Sequence, residues 1–305
     1  MLELQSIPHV GENIFGHLDT PVLLKFRSVS KAWKKIVEEV LVKRWKDNPF
    51  LALENNEVGV IKLLLEHPKC VEINWNVTRY YDIAEITPLM LACRNGLFKV
   101  VELFLDHSVT RNIDLNMKHT LGHFTREGIH AFYDDNGENF DQRQVHNKFG
   151  MYTAFSYACH FGHKDVVELI LNNAVTKGID LKSRNKDGRT ILSLASSQGQ
   201  TEVVKLLIRH SVTENMNFNV SPVDIVTVFP WACINRHGYI VQMLVDHYAE
   251  HIISYMPNAF KLACQTGNKD VAKVLLDHLS TNIDLNAKDF YGYTTLMLSC
   301  KNGHK

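Results

Sequence analysis

Residues 87–106 read TPLMLACRNGLFKVVELFLD, and the fold turns on how this stretch is understood. Val100 to Leu105 is apolar at five of its six places, with a polar residue at the third. A helix that apolar must be packed on several sides, as it is inside a stack of neighbours. Five more clusters share the pattern: Val60 to Leu65, Val166 to Leu171, Val203 to Ile208, Ile240 to Val245 and Val271 to Leu276. Eight residues ahead of each cluster stands a small residue: Ala52, Ala92, Ala158, Ala195, Ala232 and Ala263, while Ser299 begins a seventh copy. One helical turn earlier lie Leu89, Phe155, Leu192, Phe229, Phe260 and Leu296, on the same helix face. Four residues after the small position one helix must stop and another start. Gly96, Gly162, Gly199, Gly267 and Gly303 occupy that place, as a left-handed helix end requires. Asn56 fills it in the first copy and Arg236 in the fifth, where it costs about 1 kcal/mol unless Gly238 shifts the turn.

The small residues are spaced by 40, 66, 37, 37, 31 and 36, bracketing a repeat of about 33 apart from one long gap. Thr87-Pro88-Leu89-Met90-Leu91-Ala92 resembles the signature that opens an ankyrin repeat's first helix. Asn185 to Thr190 and Asn286 to Thr294 resemble the finger that precedes it. The resemblance spans 47–305 and implies an all-α solenoid of about six repeats plus a partial seventh, with a polar insertion at 117–150 expected as a finger-side loop. The seventh copy stops at Gly303-His304-Lys305, where its second helix is due, an expectation of a truncated repeat array. For an ankyrin stack the resemblance implies target binding by fingers and first helices on a concave face. Tyr80, Tyr81, Lys186, Arg189, Phe290 and Tyr291 are the candidate contacts.

Residues 1–46 follow another pattern. Ile7-Pro8, Ile14-Phe15, Leu18, Leu23-Leu24, Val29 and Trp33 stand where the F-box carries its Leu-Pro start, Ile-Phe pair, Leu-rich second helix and terminal Trp. The segment therefore resembles a three-helix F-box, with Ile for the leading Leu and Ser30-Lys31 for Cys-Arg. That resemblance implies docking onto the Skp-family adaptor of a cullin–RING ubiquitin ligase. Pro8, Ile14, Phe15, Leu18, Leu23, Leu24, Val29 and Trp33 are the candidate docking residues. About 40 residues bury too little surface to be robust alone, so some large apolar side chains are left for a partner. Trp45-Lys46-Asp47-Asn48-Pro49 has no flexible-linker composition, so the segment should join the repeats semi-rigidly.

Sharper chemistry is not indicated. Cys93, Cys159, Cys233, Cys264 and Cys300 each follow the small position, on successive repeats and not around one point, so they read as core hydrophobes and no metal is expected. His67, His107, His210, His247 and His278 recur at the end of the second helix, where bonds to the last carbonyls and the helix dipole account for them. The histidines of the insertion read as a solvated loop. The N-terminal lysines and arginines, with Glu38 and Glu39 among them, read as a solvated helix face, and with 33 basic against 33 acidic residues no nucleic-acid partner is expected. The chain shows no run of 18 apolar residues, no signal peptide and no enzyme motif, so no membrane, no cofactor and no catalysis are expected. Cytoplasm or nucleus is the expected location. The reading is a substrate-recruiting ligase adaptor. Its rivals are an ankyrin scaffold whose first helices merely cap the stack, and a pathogen effector that borrows a host ligase.

Overall fold

The structure is a computed structural model describing residues 17–27, 29, 31–45, 49–81, 84–109, 111–118, 120–121, 153–184, 190–213, 228–230, 232–279, 286, 288 and 292–303. Two compact units divide the chain, Met1–Gly122 and His123–Lys305.

Among the described residues the first unit begins with α1 (Thr20–Phe26) and α2 (Lys31–Trp45), which pack on each other, and the first of the three expected F-box helices lies outside the described residues. Two helical pairs follow, α3 (Pro49–Glu54) with α4 (Val58–Glu66), then α5 (Pro88–Arg94) with α6 (Phe98–Asp106). The first members pack side by side, as do the second members. All five apolar residues of Val60 to Leu65 are buried, while Lys62 points out beside Glu66. That is the burial an all-round apolar helix demands. Between the pairs, Trp75 is buried edge-on against Phe104, with ring centroids 5.3 Å apart. The Asn76 side chain then clasps the following finger: its Nδ2 donates to Asn112 O (2.7 Å) and its Oδ1 accepts from Asp114 N (2.7 Å).

The fingers carry the only strands among the described residues, β1 (Arg79–Tyr81), β2 (Ala84–Ile86) and β3 (Thr120–Leu121), in an antiparallel sheet of that order. Tyr80 pairs with Glu85, and Glu85 with Thr120. This modifies two expectations. Among the described residues the chain is helical apart from turns and a small finger sheet, in which Tyr80, Tyr81 and Ile86 suit a pleated surface while Ala84 and Glu85 do not. The insertion, expected as loop from 117, starts as a strand, because β2 still has a free edge to pair. Most of the insertion lies outside the described residues.

The second unit holds α7 (Ala154–Phe161) and α8 (Lys164–Lys177), α9 (Ile191–Ser197) and α10 (Thr201–Thr213), helical residues 228–230 and 232–234 with α11 (Gly238–Ile252), α12 (Met256–Thr266) with α13 (Lys269–Leu279), and α14 (Thr295–Lys301). Thr153, Thr190 and Thr294 each accept a bond from the amide three residues on, and Thr87 does the same in the first unit. Each fixes a helix start worth about 1 kcal/mol. Between α11 and α12 only Ile253 to Tyr255 intervene, so the fifth and sixth repeats are joined without a finger. This explains the spacing of 31, the shortest of the series.

The repeat-to-repeat seams are polar as well as apolar. Gln200 Nε2 donates to His160 O (3.0 Å), Asn235 Nδ2 to Ser197 O (2.9 Å), Asn268 Nδ2 to Cys233 O (3.0 Å) and Asn302 Nδ2 to Gln265 O (2.8 Å). Every acceptor is a carbonyl near the end of the preceding repeat's first helix, where carbonyls run out of helical partners, and that of Cys233 also accepts from Arg236 N at 3.2 Å. At Gly162 and Gly199 the same seams add a steric demand to the conformational one, whereas nothing lies within 4 Å of a Cβ at Gly303. At Gly199 φ is +72°, and a Cβ there would meet the His237 ring at 2.5 Å. Asn56 (φ 53°) and Arg236 (φ 64°) take the left-handed conformation themselves, so Gly238 does not shift the turn. Arg236 Nη2 donates to Thr266 O at 2.9 Å, which offsets part of its backbone cost.

Gly199→Ala should therefore lower the urea midpoint by an amount worth at least about 1–2 kcal/mol, from the left-handed backbone alone. Asn56→Gly should leave it unchanged or raise it by a fraction of about 1 kcal/mol. A Gly199→Ala loss no larger than this backbone cost would count against the seam as a further reason for glycine.

Candidate protein-interaction surfaces

The N-terminal hairpin is built from both ends. Pro21 sits in the first turn of α1, where its missing N–H costs nothing. Leu23 is fully buried and holds α1 against the Val37 and Leu41 face of α2, both likewise at 0% exposure. Phe26 and Trp33 close the elbow, ring centroids 5.3 Å apart and tilted by 51°. Arg27 pairs with Glu38, and Arg44 Nη1 donates back to Leu18 O at 2.9 Å, so the approach to α1 is fastened to the far end of α2. Among the described residues of the hairpin the exposed large aliphatic side chains are Val22 (37%) and Val29 (60%), while Leu18, Leu24 and Trp33 are half-buried. Of the candidate docking residues, Val29 is the most open, Leu23 acts from inside, and Pro8, Ile14 and Phe15 lie outside the described residues.

The hairpin is also seated on the first repeat. α2 packs on α3 and α4 through its carboxyl-terminal half, where Val42 and Trp45 are buried. Leu24 lies over Gly59 of α4, so close that a Cβ there would meet its Cδ1 at 3.1 Å. Lys69 Nζ reaches Glu39 at 3.1 Å. These contacts join the hairpin to the first repeat within the first unit, while residues 46–48 of the expected semi-rigid junction lie outside the described residues.

On the repeats, Tyr80 is 60% exposed on β1, and the Glu85 carboxylate opposite accepts its hydroxyl and raises its pKa. Arg79 reaches Glu54 on α3 at 3.4 Å, tying the strand to the first repeat. Tyr81 pairs with Ala84 in the register. Lys186, Arg189, Phe290 and Tyr291 lie outside the described residues, so the six candidates are not brought together as one described site. The seam residues Gln200, Asn235, Asn268 and Asn302 escaped the sequence reading, although Gln200 and Asn268 share a column five places after Ala195 and Ala263.

Titratable groups behave as core and cap residues. All six cysteines are free thiols, and Cys70, Cys93, Cys159 and Cys233 are buried. Burial pushes the Cys93 thiol well above its usual range and Cys233 up to about 12, so neither is a thiolate at neutral pH. His278 Nδ1 donates to Val274 O of its own helix at 2.9 Å, as a helix-end His should. His67 differs: its Nδ1 accepts from Lys69 N at 3.2 Å, because Pro68 starts a new 3₁₀ turn there. The carbonyls closing α4 are served instead by Arg111, whose guanidinium bonds Leu65 O and His67 O. Among the described residues no group of His, Cys, Asp and Glu could hold a metal ion, and no helix is long and apolar enough to cross a membrane.

The F-box domain family matches residues 5–45, ankyrin-repeat families match 126–219, 155–255 and 231–305, and a single ankyrin repeat matches 85–117. The chain is an F-box protein with ankyrin repeats. Both modules are interaction modules. Among solved structures it is similar to the ankyrin repeat domain of Bcl-3, a unique member of the IkappaB protein family, at 20% identity over 81% of this chain and 91% of that one, TM-score 0.48. It is also similar to the human ASB11 ankyrin repeat domain, at 16% identity over 81% and 89%, TM-score 0.49. No curated relative matches.

A thiol reagent applied to this F-box protein in its folded state should label Cys300 at once and Cys264 more slowly. Cys70, Cys93, Cys159 and Cys233 should react only after denaturation. Prompt labelling of Cys93, read by mass spectrometry, would contradict the packing of α5.

Proposed function

We propose that this protein recruits substrates to a Skp–cullin–F-box ubiquitin ligase, docking the Skp adaptor through its N-terminal hairpin and a target protein through its ankyrin repeats, and catalysing nothing itself. The observation that carries the reading is the matched F-box segment, whose hairpin buries Leu23, Val37 and Leu41 yet leaves Val22 and Val29 in solvent. Single exposed apolar residues are common and several others lie open in this chain, so Val29 counts because it stands within the matched F-box segment, where a partner would cover it. Cytoplasm or nucleus is the location this role implies.

The target-binding role of the repeats rests on the family and on Tyr80, an aromatic held in the open on a paired strand. Aromatic side chains presented on rigid elements are favoured anchors for protein partners. The contacts of the hairpin with the first repeat, Leu24 over Gly59 and Lys69 to Glu39, limit how far the hairpin can drift from that repeat.

A second reading also has an observation behind it. α2 packs on α4, with Leu24 over Gly59, which is what a capping element of a repeat stack does. In that reading the protein is a scaffold and the hairpin has no adaptor. An effector that borrows a host ligase would show the same chemistry as the first reading.

Titration calorimetry of the whole chain against purified Skp adaptor separates the two. The ligase reading expects tight binding that Phe15→Ala and Val29→Glu each weaken by at least about tenfold, with helical circular dichroism intact. A folded wild type that binds no adaptor leaves the scaffold.

A further inference from the structure

The hairpin elbow carries a charge pattern that its own stability does not call for. The chain as a whole is neutral, yet residues 20–45 hold seven basic side chains against two acidic ones. Both acids are already engaged: Glu38 with Arg27 and, at 4.0 Å, Lys34, and Glu39 with Lys69 at 3.1 Å. Lys31, Lys34 and Lys35 are exposed at the start of α2, whose first turn contains no acid. Among the described residues Lys31 and Lys35 face no carboxylate. Cations at the amino end of a helix oppose its dipole, so this placement works against the helix that bears it. Lys25 is exposed in the last turn of α1. The Phe26–Trp33 ring contact holds that turn against the first turn of α2. The four lysines therefore share one end of the hairpin, and Val29, 60% exposed, lies in the elbow between them.

An apolar centre inside a charged rim is the anatomy of a protein-binding patch, in which the rim sets encounter rate and the centre sets residence. Nucleic acid fits less well, because Phe26 and Trp33 are spent on each other and offer no open ring for a base to stack on. We infer that Lys25, Lys31, Lys34 and Lys35 form a basic rim that steers an acidic face of the partner protein onto the Val22 and Val29 surface. The inference rests on the adaptor reading above and adds the charge of the docking face, and with it a dependence of assembly on ionic strength.

Stopped-flow or surface association kinetics of the full chain with purified Skp adaptor test it. Between about 0.01 M and about 1 M salt, where the Debye length shrinks from about 30 Å to about 3 Å, the association rate should fall by about tenfold or more while dissociation changes by less than about twofold. The triple variant Lys31→Glu, Lys34→Glu, Lys35→Glu should associate about tenfold more slowly at low salt and lose most of the salt dependence. Its helical circular dichroism should be retained, with some loss of melting temperature because Lys34→Glu and Lys35→Glu each set two acids four residues apart, against Glu38 and Glu39. Lys31→Gln, which leaves both of those neighbours in place, should keep or raise the melting temperature. Replacing the same three with Gln should give intermediate rates. Binding whose rate ignores salt, or a triple variant that associates as fast as wild type, overturns the steering and leaves the adaptor reading standing. A wild type that binds no adaptor at any salt concentration overturns both. Binding of duplex DNA or phosphatidylserine vesicles at about 0.15 M salt, abolished by the same triple variant, would assign the rim to an anionic polymer or surface instead.

Discussion

A first helix hands over to a second where one residue turns left-handed, and at two of the described turns that residue must also leave room for a side chain arriving from the next repeat. The two demands meet at Gly199, where φ is +72° and His237 lies where a Cβ would stand. They meet again at Gly162, beneath Gln200. Since Gln200 also donates to the His160 carbonyl, the turn that ends one helix is the surface on which the next repeat is positioned. The fifth repeat shows what happens when the demand is not met. Arg236 takes the left-handed backbone with a full side chain, reaches forward to Thr266 O, and is followed by Asn268, shorter than Gln or His, which bonds a carbonyl nearer the helix middle, that of Cys233. The irregular repeat keeps the seam by changing which carbonyl it uses.

Much of this was legible beforehand because repetition multiplies a weak signal. One Ala followed four places later by Gly says little. Six copies in phase with an apolar hexad leave one architecture, and Ala52, Ala92, Ala158, Ala195, Ala232 and Ala263 are all buried at 1% exposure or less. The left-handed roles of Asn56 and Arg236 were readable for the same reason: column position overrode residue type. What repetition could not reach was anything set by a single pair. The Tyr80–Glu85 pairing, the Asn76 clasp and the Arg111 cap join residues whose partners have no fixed spacing, and each occurs once among the described residues. The role of His67 was misjudged because Pro68 changes the local turn, a feature its column mates lack. The F-box was legible as a pattern of eight positions. Which of those face solvent depended on packing: Leu23 and Val29 are similar in sequence terms and opposite in exposure.

The double duty of α2 follows from its length. At fifteen residues it spans about 22 Å at 1.5 Å per residue, enough for its two ends to meet different surroundings. Its carboxyl-terminal half buries Val42 and Trp45 in contact with the first repeat, and Arg44 there fastens the incoming chain. Its amino-terminal turn carries the exposed lysines and the elbow. Capping the stack and meeting a partner are therefore not competing uses of one surface, and removal of the whole hairpin cannot distinguish them because it removes both. Substitutions confined to Val29 and the first turn of α2 separate the two roles, because they touch neither Trp45 nor the Leu24–Gly59 contact.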